Sequence, residues 1–258
     1  MMKSLSLVVL WFLAYGCAAK KLAIKNADSL LQYQIAKRLP LNPSQERILT
    51  QDVTNFLNES KPKIEKLIPL IDVISLETPD PIQKQFEDIM IFVKSTSIDF
   101  SKIMAKHMAN LSEKQQQEFF ATLSKENKDL HAKSASKKRD EFEVRFETFF
   151  GPMNDAQIKL YEEYRPYFEL RFLERIKRRE KLHQSFKEIY AQAPPAEKKR
   201  ELFLGSFANY QNAPFENEKS VEILHRLIPT LTQAQRDQLK KTIREFQELI
   251  NYFIQTDY

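Results

Sequence analysis

The sequence predicts an all-α protein, a single bundle of about ten helices without a β-sheet. Apolar residues recur at intervals of three and four through most of the chain after residue 23, for example at Leu239, Ile243 and Phe246. Alternating apolar and polar runs, which a half-buried strand needs, are missing. The chain has 258 residues but only 3 Gly, and a fold rich in tight β-turns needs more glycine than that.

Prolines and capping residues divide this periodic region into helices. Pro62 and Pro166 are interpreted as helix boundaries, because a proline inside a helix removes a hydrogen bond and clashes with the preceding turn. The face of Phe146 and Phe149, before the helix stop at Gly151, is predicted to be buried. The predicted helices are 24–38, 43–59, 62–75, 81–109, 112–149, 155–164, 166–191, 196–210, 217–228 and 233–254. For 112–149 the alternative is a break near Ser134–Ser136, where apolar residues become sparse.

Four of these helices are predicted to begin with a capping box. In each box an apolar residue precedes Asn, Ser or Thr, and a Gln follows three positions later. The short side chain accepts the N3 amide hydrogen while the Gln reaches back to the N-cap amide. The segments are 41–45, 111–115, 153–157 and 231–235, and in the third a hydrophobic staple is expected between Met153 and Ile158. Their unequal spacing argues against a solenoid repeat.

The N-terminus has the layout of a secretory signal. Lys3 precedes an apolar run over 4–14, and small residues follow at Gly16, Ala18 and Ala19. The run is shorter than the ~20 residues that a membrane-spanning helix needs. An ordinary signal cleaved near Ala19 is the alternative to the lipoprotein signal considered next.

Gly16 directly before Cys17 resembles the lipobox of bacterial lipoproteins. The resemblance implies that 1–16 is the signal peptide, that Cys17 carries a covalent lipid, and that 17–23 forms a short tether. The rest of the chain, 24–258, is then one all-helical periplasmic domain. Because residue 18 is Ala, the resemblance also implies lipid anchoring in the outer membrane, on its periplasmic face.

Composition argues against several classes of activity. The net charge of +5 is modest for this length, so nucleic acid is not an expected partner. Outside the leader only Gly151 and Gly205 remain, too few for a phosphate-binding loop. No catalytic constellation is recognisable, and we expect a protein that is not an enzyme, is monomeric and has no cofactor besides the lipid.

Two Glu-x-x-His pairs could suggest a metal site. They are Glu180 with His183 and Glu222 with His225. A di-iron bundle needs both pairs to face inward, whereas the helical wheel turns Glu222 away from the apolar face. No metal site is therefore predicted.

Longer segments resemble two families. The pieces are Arg145 to Gln157, Asn26 to Gln45 and the terminal box with its helix. Together they resemble an uncharacterised all-helical lipoprotein family of Gram-negative bacteria, a domain of unknown function. Leu231 to Gln235 alone is similar to the Leu-Thr-x-x-Gln motif of periplasmic stress chaperones, which are shorter proteins that work as cupped dimers.

Two sets of residues are candidates for binding. Arg175, Arg179 and His183 lie on or beside the apolar face of a basic helix, where they could hold an anionic group or pair with Glu143 or Glu147. The second set, a partner surface where two helices would meet at Pro166, is either exposed or part of the core. It consists of Tyr161, Tyr164, Tyr167 and Arg178.

These observations favour a non-catalytic interaction or scaffolding module of the cell envelope. One alternative is a holdase-type chaperone for unfolded envelope proteins, suggested by the Gln-containing boxes and the basic helix. The other is a carrier of an anionic ligand or lipid that uses Arg175, Arg179 and His183. An envelope partner is expected in the first case, but its identity does not follow from the sequence.

Overall fold

The computed structural model describes residues 17–72, 79–135, 141–211 and 217–258, and this part of the chain is all-helical. It is 88% helical, with 11 α-helices and no strand within the described ranges, which confirms the predicted fold class. The predicted signal peptide, 1–16, lies outside these residues. In chain order the helices are α1 (Cys17–Lys25), α2 (Ala27–Ala36), α3 (Pro43–Glu65), α4 (Ile68–Asp72), α5 (Pro79–Ala109), α6 (Glu113–Ala135), α7 (Glu141–Phe150), α8 (Asp155–Ala191), α9 (Ala196–Gln211), α10 (Asn217–Leu227) and α11 (Gln233–Gln255), with a 3₁₀ turn at Ile228–Thr230 before α11.

Two predicted proline boundaries are wrong, because both prolines lie inside continuous helices. Pro62 lies in α3, and Pro166 is the twelfth residue of the 37-residue α8. A single proline removes one backbone donor, and packing on neighbouring helices can offset that loss. Helix α8 packs against α6, α9 and α10. The predicted pair 155–164 and 166–191 is therefore one helix.

The segment predicted as a tether is helical and packed. Residues 17–23 belong to α1, which lies against α11. The side chain of Lys20 is only 6% exposed and its Nζ lies 3.3 Å from a carboxylate oxygen of Glu245, while Ile24 is buried. The prediction of a tether is thus corrected, because α1 has a buried face of its own that fixes it to the body.

Side-chain burial separates three cores. The largest lies among α2, α3, α5, α6, α8 and α9, and Phe119, Phe186 and Phe203 are its largest fully buried members. A second core joins α7, α8 and α10, and a third joins α4 to the C-terminal half of α11. The molecule therefore has one large aromatic core and two smaller ones at its sides.

The burial predicted around α7 and the third box is only partly correct. Phe146 is 3% exposed, but Phe149 is half-buried. Met153 packs against the second core, whereas Ile158 is 46% exposed. The second core thus includes Met153, and the staple to Ile158 stays a prediction.

The four capping boxes form as predicted and associate in two pairs. In the first pair, Gln45 Nε2 donates to the Asn110 carbonyl (3.0 Å) and Gln115 Nε2 donates to the Pro40 carbonyl (2.6 Å). Gln115 Nε2 also donates to Gln45 Oε1 (2.6 Å). We call such a pair of cross-bonded glutamines a glutamine clasp.

The second clasp repeats this geometry around Gln157 and Gln235. Their side-chain amides donate to each other at 2.8 Å in both directions. Gln157 Nε2 also donates to the Thr230 carbonyl (3.1 Å) and Gln235 Nε2 to the Pro152 carbonyl (2.8 Å). In both clasps the accepting carbonyl lies two residues before the partner's N-cap, so the arrangement is the same.

The clasps divide the chain into two halves with the same plan. Each half has a short helix, a box after proline (Pro40 and Pro152), intervening helices and a second box (Ser112 and Thr232). The last helix of each half packs against the first box-capped helix of the other, α6 on α8 and α11 on α3. The chain is therefore an internal pseudo-repeat whose two halves exchange their final helices.

The clasps lead to a stability prediction. Gln157 is 1% exposed, whereas its counterpart Gln45 is half-buried. We expect Gln157→Ala to lower the free energy of unfolding by about 2–3 kcal/mol, because it leaves the Gln235 amide and the Thr230 carbonyl without a partner in a buried place. We expect Gln45→Ala to cost about 1 kcal/mol, since water can replace the lost bonds.

Urea unfolding of the two variants beside the parent protein measures this difference. Thr232→Ala, which removes a cap but leaves both glutamines, is the control and should cost about 1 kcal/mol. Equal losses for Gln157→Ala and Gln45→Ala would contradict the importance of the buried clasp.

Candidate functional site

An apolar pocket lies beside the second clasp, among α7, α8 and α10. It is shallow: its interior has about 10 Å³ of space, enough for one water molecule, and the rest of its opening is continuous with solvent. Its lining is apolar and aromatic apart from Gln157, so the clasp forms one wall. The lining residues are Phe146, Met153, Gln157, Leu160, Tyr161, Tyr164, Phe168, Ile223 and Leu227.

Tyr164 connects this pocket to a charged network. The buried tyrosine donates through its hydroxyl to Glu222 Oε1 (2.5 Å) and accepts from Arg226 Nη1 (2.9 Å). Arg226 also binds the Glu163 carboxylate through both terminal nitrogens, and Lys219 Nζ lies 2.8 Å from Glu222 Oε2. The pocket is thus apolar inside, with alternating charges fixed at its edge.

The network changes the pKa of its members. Burial raises the pKa of Tyr164, and the hydrogen bond that its hydroxyl donates to the Glu222 carboxylate raises it further. The Lys219 ammonium, together with the Tyr164 hydroxyl, holds the pKa of Glu222 below its usual value. The hydroxyl is therefore a fixed donor at neutral pH, and its proton serves the hydrogen bond to Glu222.

The equivalent place in the first half is closed by polar residues. Asp52 and Tyr164 lie at the same distance after the N-caps Asn42 and Asn154, and Lys106 and Arg226 lie at the same distance before Ser112 and Thr232. Asp52 binds Lys106 Nζ (2.8 Å) and His107 Nε2 (2.9 Å). Position 107 is matched by Leu227 in the second half, so the pocket side chain there is apolar instead of histidine.

The predicted partner surface is only partly assembled. Tyr161 and Tyr164 are buried and line the pocket, and Tyr167 is half-buried beside them. Arg178 lies more than three turns further along α8 and does not line the pocket. The tyrosines therefore form pocket wall rather than an exposed aromatic surface, and no helix junction exists at Pro166.

The predicted anionic-ligand residues are engaged within the protein. Arg179 is 11% exposed and its guanidinium binds Glu126 of α6, which also lies 2.9 Å from Arg38 Nε. Burial would raise the pKa of Glu126, but the hydrogen bond from Arg179 and the charge of Arg38 outweigh it, so the pKa is lowered. The partner of Arg179 is thus Glu126 and not the Glu143 or Glu147 considered from the sequence.

His183 and Arg175 do not join Arg179 in an open anion site. His183 is buried beside Asn127, whose Nδ2 lies 3.1 Å from His183 Nδ1. Burial, with the charge of Arg179, lowers the pKa of His183 to about 3, so the imidazole is neutral at physiological pH. The Arg175 guanidinium stacks over the Phe172 ring, with 4.8 Å between their centres.

The Glu-x-x-His pairs also have separate partners. Glu180 Oε1 lies 2.8 Å from His131 Nε2, and Glu222 binds Tyr164 and Lys219. Within the described ranges, no three His, Cys, Asp or Glu residues come close enough together to hold a metal ion. The sequence signal for a metal centre is thus not matched by a cluster in this part of the chain.

The local patterns of the sequence did not predict that the boxes pair or that a pocket lies beside the second pair. The sequence does contain a signal of the pairing: Pro-Leu-Asn-x-x-Gln at Pro40 repeats as Pro-Met-Asn-x-x-Gln at Pro152, and Leu-Ser-x-x-Gln at Leu111 repeats as Leu-Thr-x-x-Gln at Leu231. The boxes thus alternate between two types along the chain.

Comparisons of the chain with protein-family profiles, curated proteins and solved structures found no significant match. Among the described helices, none combines the length and apolar character that crossing a membrane requires.

The Arg179–Glu126–Arg38 cluster predicts a pH-dependent stability. The unfolded carboxyl titrates near 4.5 and the folded one lower, so its contribution is complete above that pH and is lost as the pH falls through the folded pKa. We expect Glu126→Gln to cost about 2 kcal/mol at pH 7 and to lose this deficit progressively below pH 4.5. Urea unfolding from pH 7 to pH 3 measures both effects.

The control for this prediction is Glu180→Gln, at a more exposed carboxylate. It should change the free energy of unfolding by less than about 0.5 kcal/mol at pH 7. A deficit of Glu126→Gln that stays constant with pH would show that the lost side-chain shape, and not the carboxylate charge, is responsible.

Proposed function

We propose that this protein is a lipoprotein anchored by Cys17 in the outer membrane, on its periplasmic face, and that it acts as a non-catalytic interaction module of the cell envelope. The observation that carries the interaction role is the apolar pocket next to the second clasp. The N-terminal signal, the lipobox and the resemblance to all-helical lipoproteins support the location.

The size and chemistry of the pocket indicate how a partner would use it. Its interior of about 10 Å³ is too small for a lipid or a cofactor, so a partner would contact the apolar lining from the surface and insert a side chain only by displacing one of the lining side chains. Glu163, Arg226, Glu222 and Lys219 at the edge can position the polar backbone and side chains around such an anchor. A partner segment with a single large apolar residue between polar ones fits both features.

The counterpart position in the first half supports this assignment. There, Asp52, Lys106 and His107 occupy the equivalent place with polar bonds. Both halves keep the clasp, so fold stability does not require an apolar opening at this place. The second half differs from the first in the residues that would serve recognition, which favours a binding role for the pocket.

In-cell photo-crosslinking tests the proposal. We expect a probe at Tyr167, beside the pocket, to give one dominant protein adduct. Met153→Trp should abolish that adduct, because Met153 lines the pocket and a larger ring would fill it. Leu41→Trp is the matched control, since Leu41 holds the same place in the first box and should leave the adduct unchanged.

Three outcomes would contradict the proposed module. An adduct that survives Met153→Trp would place the partner elsewhere. A broad mixture of unfolded outer-membrane proteins would favour a holdase, and a co-purifying lipid without protein adducts would favour a carrier.

The internal repeat favours the holdase as a second candidate. The chaperones that the terminal motif resembles work as dimers, and this chain contains a two-box unit twice. Aggregation of an unfolded outer-membrane protein, followed by light scattering with this protein at equal concentration, is the test. Suppression in the parent that Met153→Trp does not affect would favour the holdase over the pocket-based module.

A further inference from the structure

Helix α1 has one side buried and one side free, although it contains only nine residues. Lys20 and Ile24 face the body and are buried. Lys21 and Lys25 are exposed, and Leu22 between them is 62% exposed. In helical register, positions 21, 22 and 25 share this outer side. A large apolar side chain is thus held in solvent between two cations.

Helix α1 is fixed to α11. Besides the Lys20–Glu245 ion pair, the Lys21 ammonium lies 5.9 Å from the ring centre of Tyr252. We call the outer side of α1, formed by Lys21, Leu22 and Lys25, the anchor face.

The position of the anchor face relative to Cys17 suggests its occupant. Cys17 is the first residue of α1, and at about 1.5 Å of rise per residue Leu22 lies roughly 8 Å along the axis from it. The polar headgroup layer of one leaflet is roughly 5–8 Å thick. Because α1 is packed and not extended, a lipid on Cys17 would hold Leu22 and the lysines at that layer.

We propose that the anchor face lies on the membrane, with Leu22 among the lipid chains near the headgroups and its lysines beside anionic phosphates. The proposal rests on the lipid anchor of the proposed function and adds to it a fixed orientation. An exposed apolar residue flanked by cations has the composition of a helix that lies in the membrane interface. Attraction between lysines and anionic lipid also falls off within a Debye length, so it acts only at such close approach.

Tryptophan fluorescence provides a direct test. The chain contains 1 Trp, Trp11, which lies within the predicted signal peptide, so in the mature lipidated protein Leu22→Trp introduces a single reporter. The substitution is at an exposed position and should not disturb folding. The protein is placed in vesicles of phosphatidylglycerol and phosphatidylethanolamine that contain brominated lipid, which quenches tryptophan on contact.

Ile158→Trp is the matched control, because Ile158 is also an exposed apolar residue. It lies near the second clasp, where α11 begins, and α11 extends about 25 Å from Gln235 to Tyr252 beside α1. We expect the emission of the Leu22→Trp variant to shift to the blue and to be quenched several-fold more than that of the Ile158→Trp variant.

A second pair of variants tests the cations. Lys21→Glu with Lys25→Glu, introduced into the Leu22→Trp variant, should reduce the quenching at least twofold. The equal charge change Lys177→Glu with Lys181→Glu, at two exposed lysines of α8, should not reduce it.

The outcomes separate this inference from the proposed function. If mass spectrometry shows lipid on Cys17 but the Leu22→Trp variant is quenched no more than the Ile158→Trp variant, the anchor holds and the anchor face is wrong. If Cys17 carries no lipid and Cys17→Ser stays in the membrane fraction, the proposed anchoring fails and the anchor face fails with it. Quenching that does not depend on Lys21 and Lys25 would overturn the role of the cations.

Discussion

The reciprocal hydrogen bonding of glutamine amides is the constraint on which the rest of this structure depends. In the second clasp, each Oε1 accepts from its own N-cap amide and from the partner glutamine, and each Nε2 donates to that partner and to a carbonyl before the partner's N-cap. The same atoms that start a helix therefore also fix its position next to another helix start. The first clasp has the same two bonds to carbonyl groups and one of the two bonds between glutamines, so four helix beginnings are joined in two pairs.

The two halves share the clasp but differ in the side chains that lie next to it. The first half combines Asp52 with Lys106 and His107, and burial lowers the pKa of that histidine although Asp52 opposes the change. The second half has Leu227 at the position of His107. Its charged side chains lie around the Tyr164 hydroxyl, at the edge of the pocket. One half is thus closed by polar bonds, while the other keeps an apolar opening with charged edges.

Helix α11 connects the pocket to the helix that would carry the lipid. It begins at the second clasp beside the pocket, and its other end carries α1, where the proposed lipid anchor starts. The ion pair between the buried Lys20 and the half-exposed Glu245 makes α1 part of the body instead of a free linker. Under the proposed anchoring, the helix that carries the clasp beside the pocket is thus fixed to the helix that would carry the lipid.

The sequence by itself determined the helical class, the helices predicted at 81–109, 196–210, 217–228 and 233–254, and all four boxes, because apolar periodicity and capping are local properties. It did not determine that α8 continues through Pro166, since packing on three neighbouring helices is not encoded in that segment. Nor could it decide that Arg179 binds Glu126, or that Tyr161 and Tyr164 form a pocket wall, because those partners are distant in sequence. The pairing of the boxes is visible only in the tertiary structure. A glutamine that caps its own helix gives no local indication of the second helix to which it also donates a hydrogen bond.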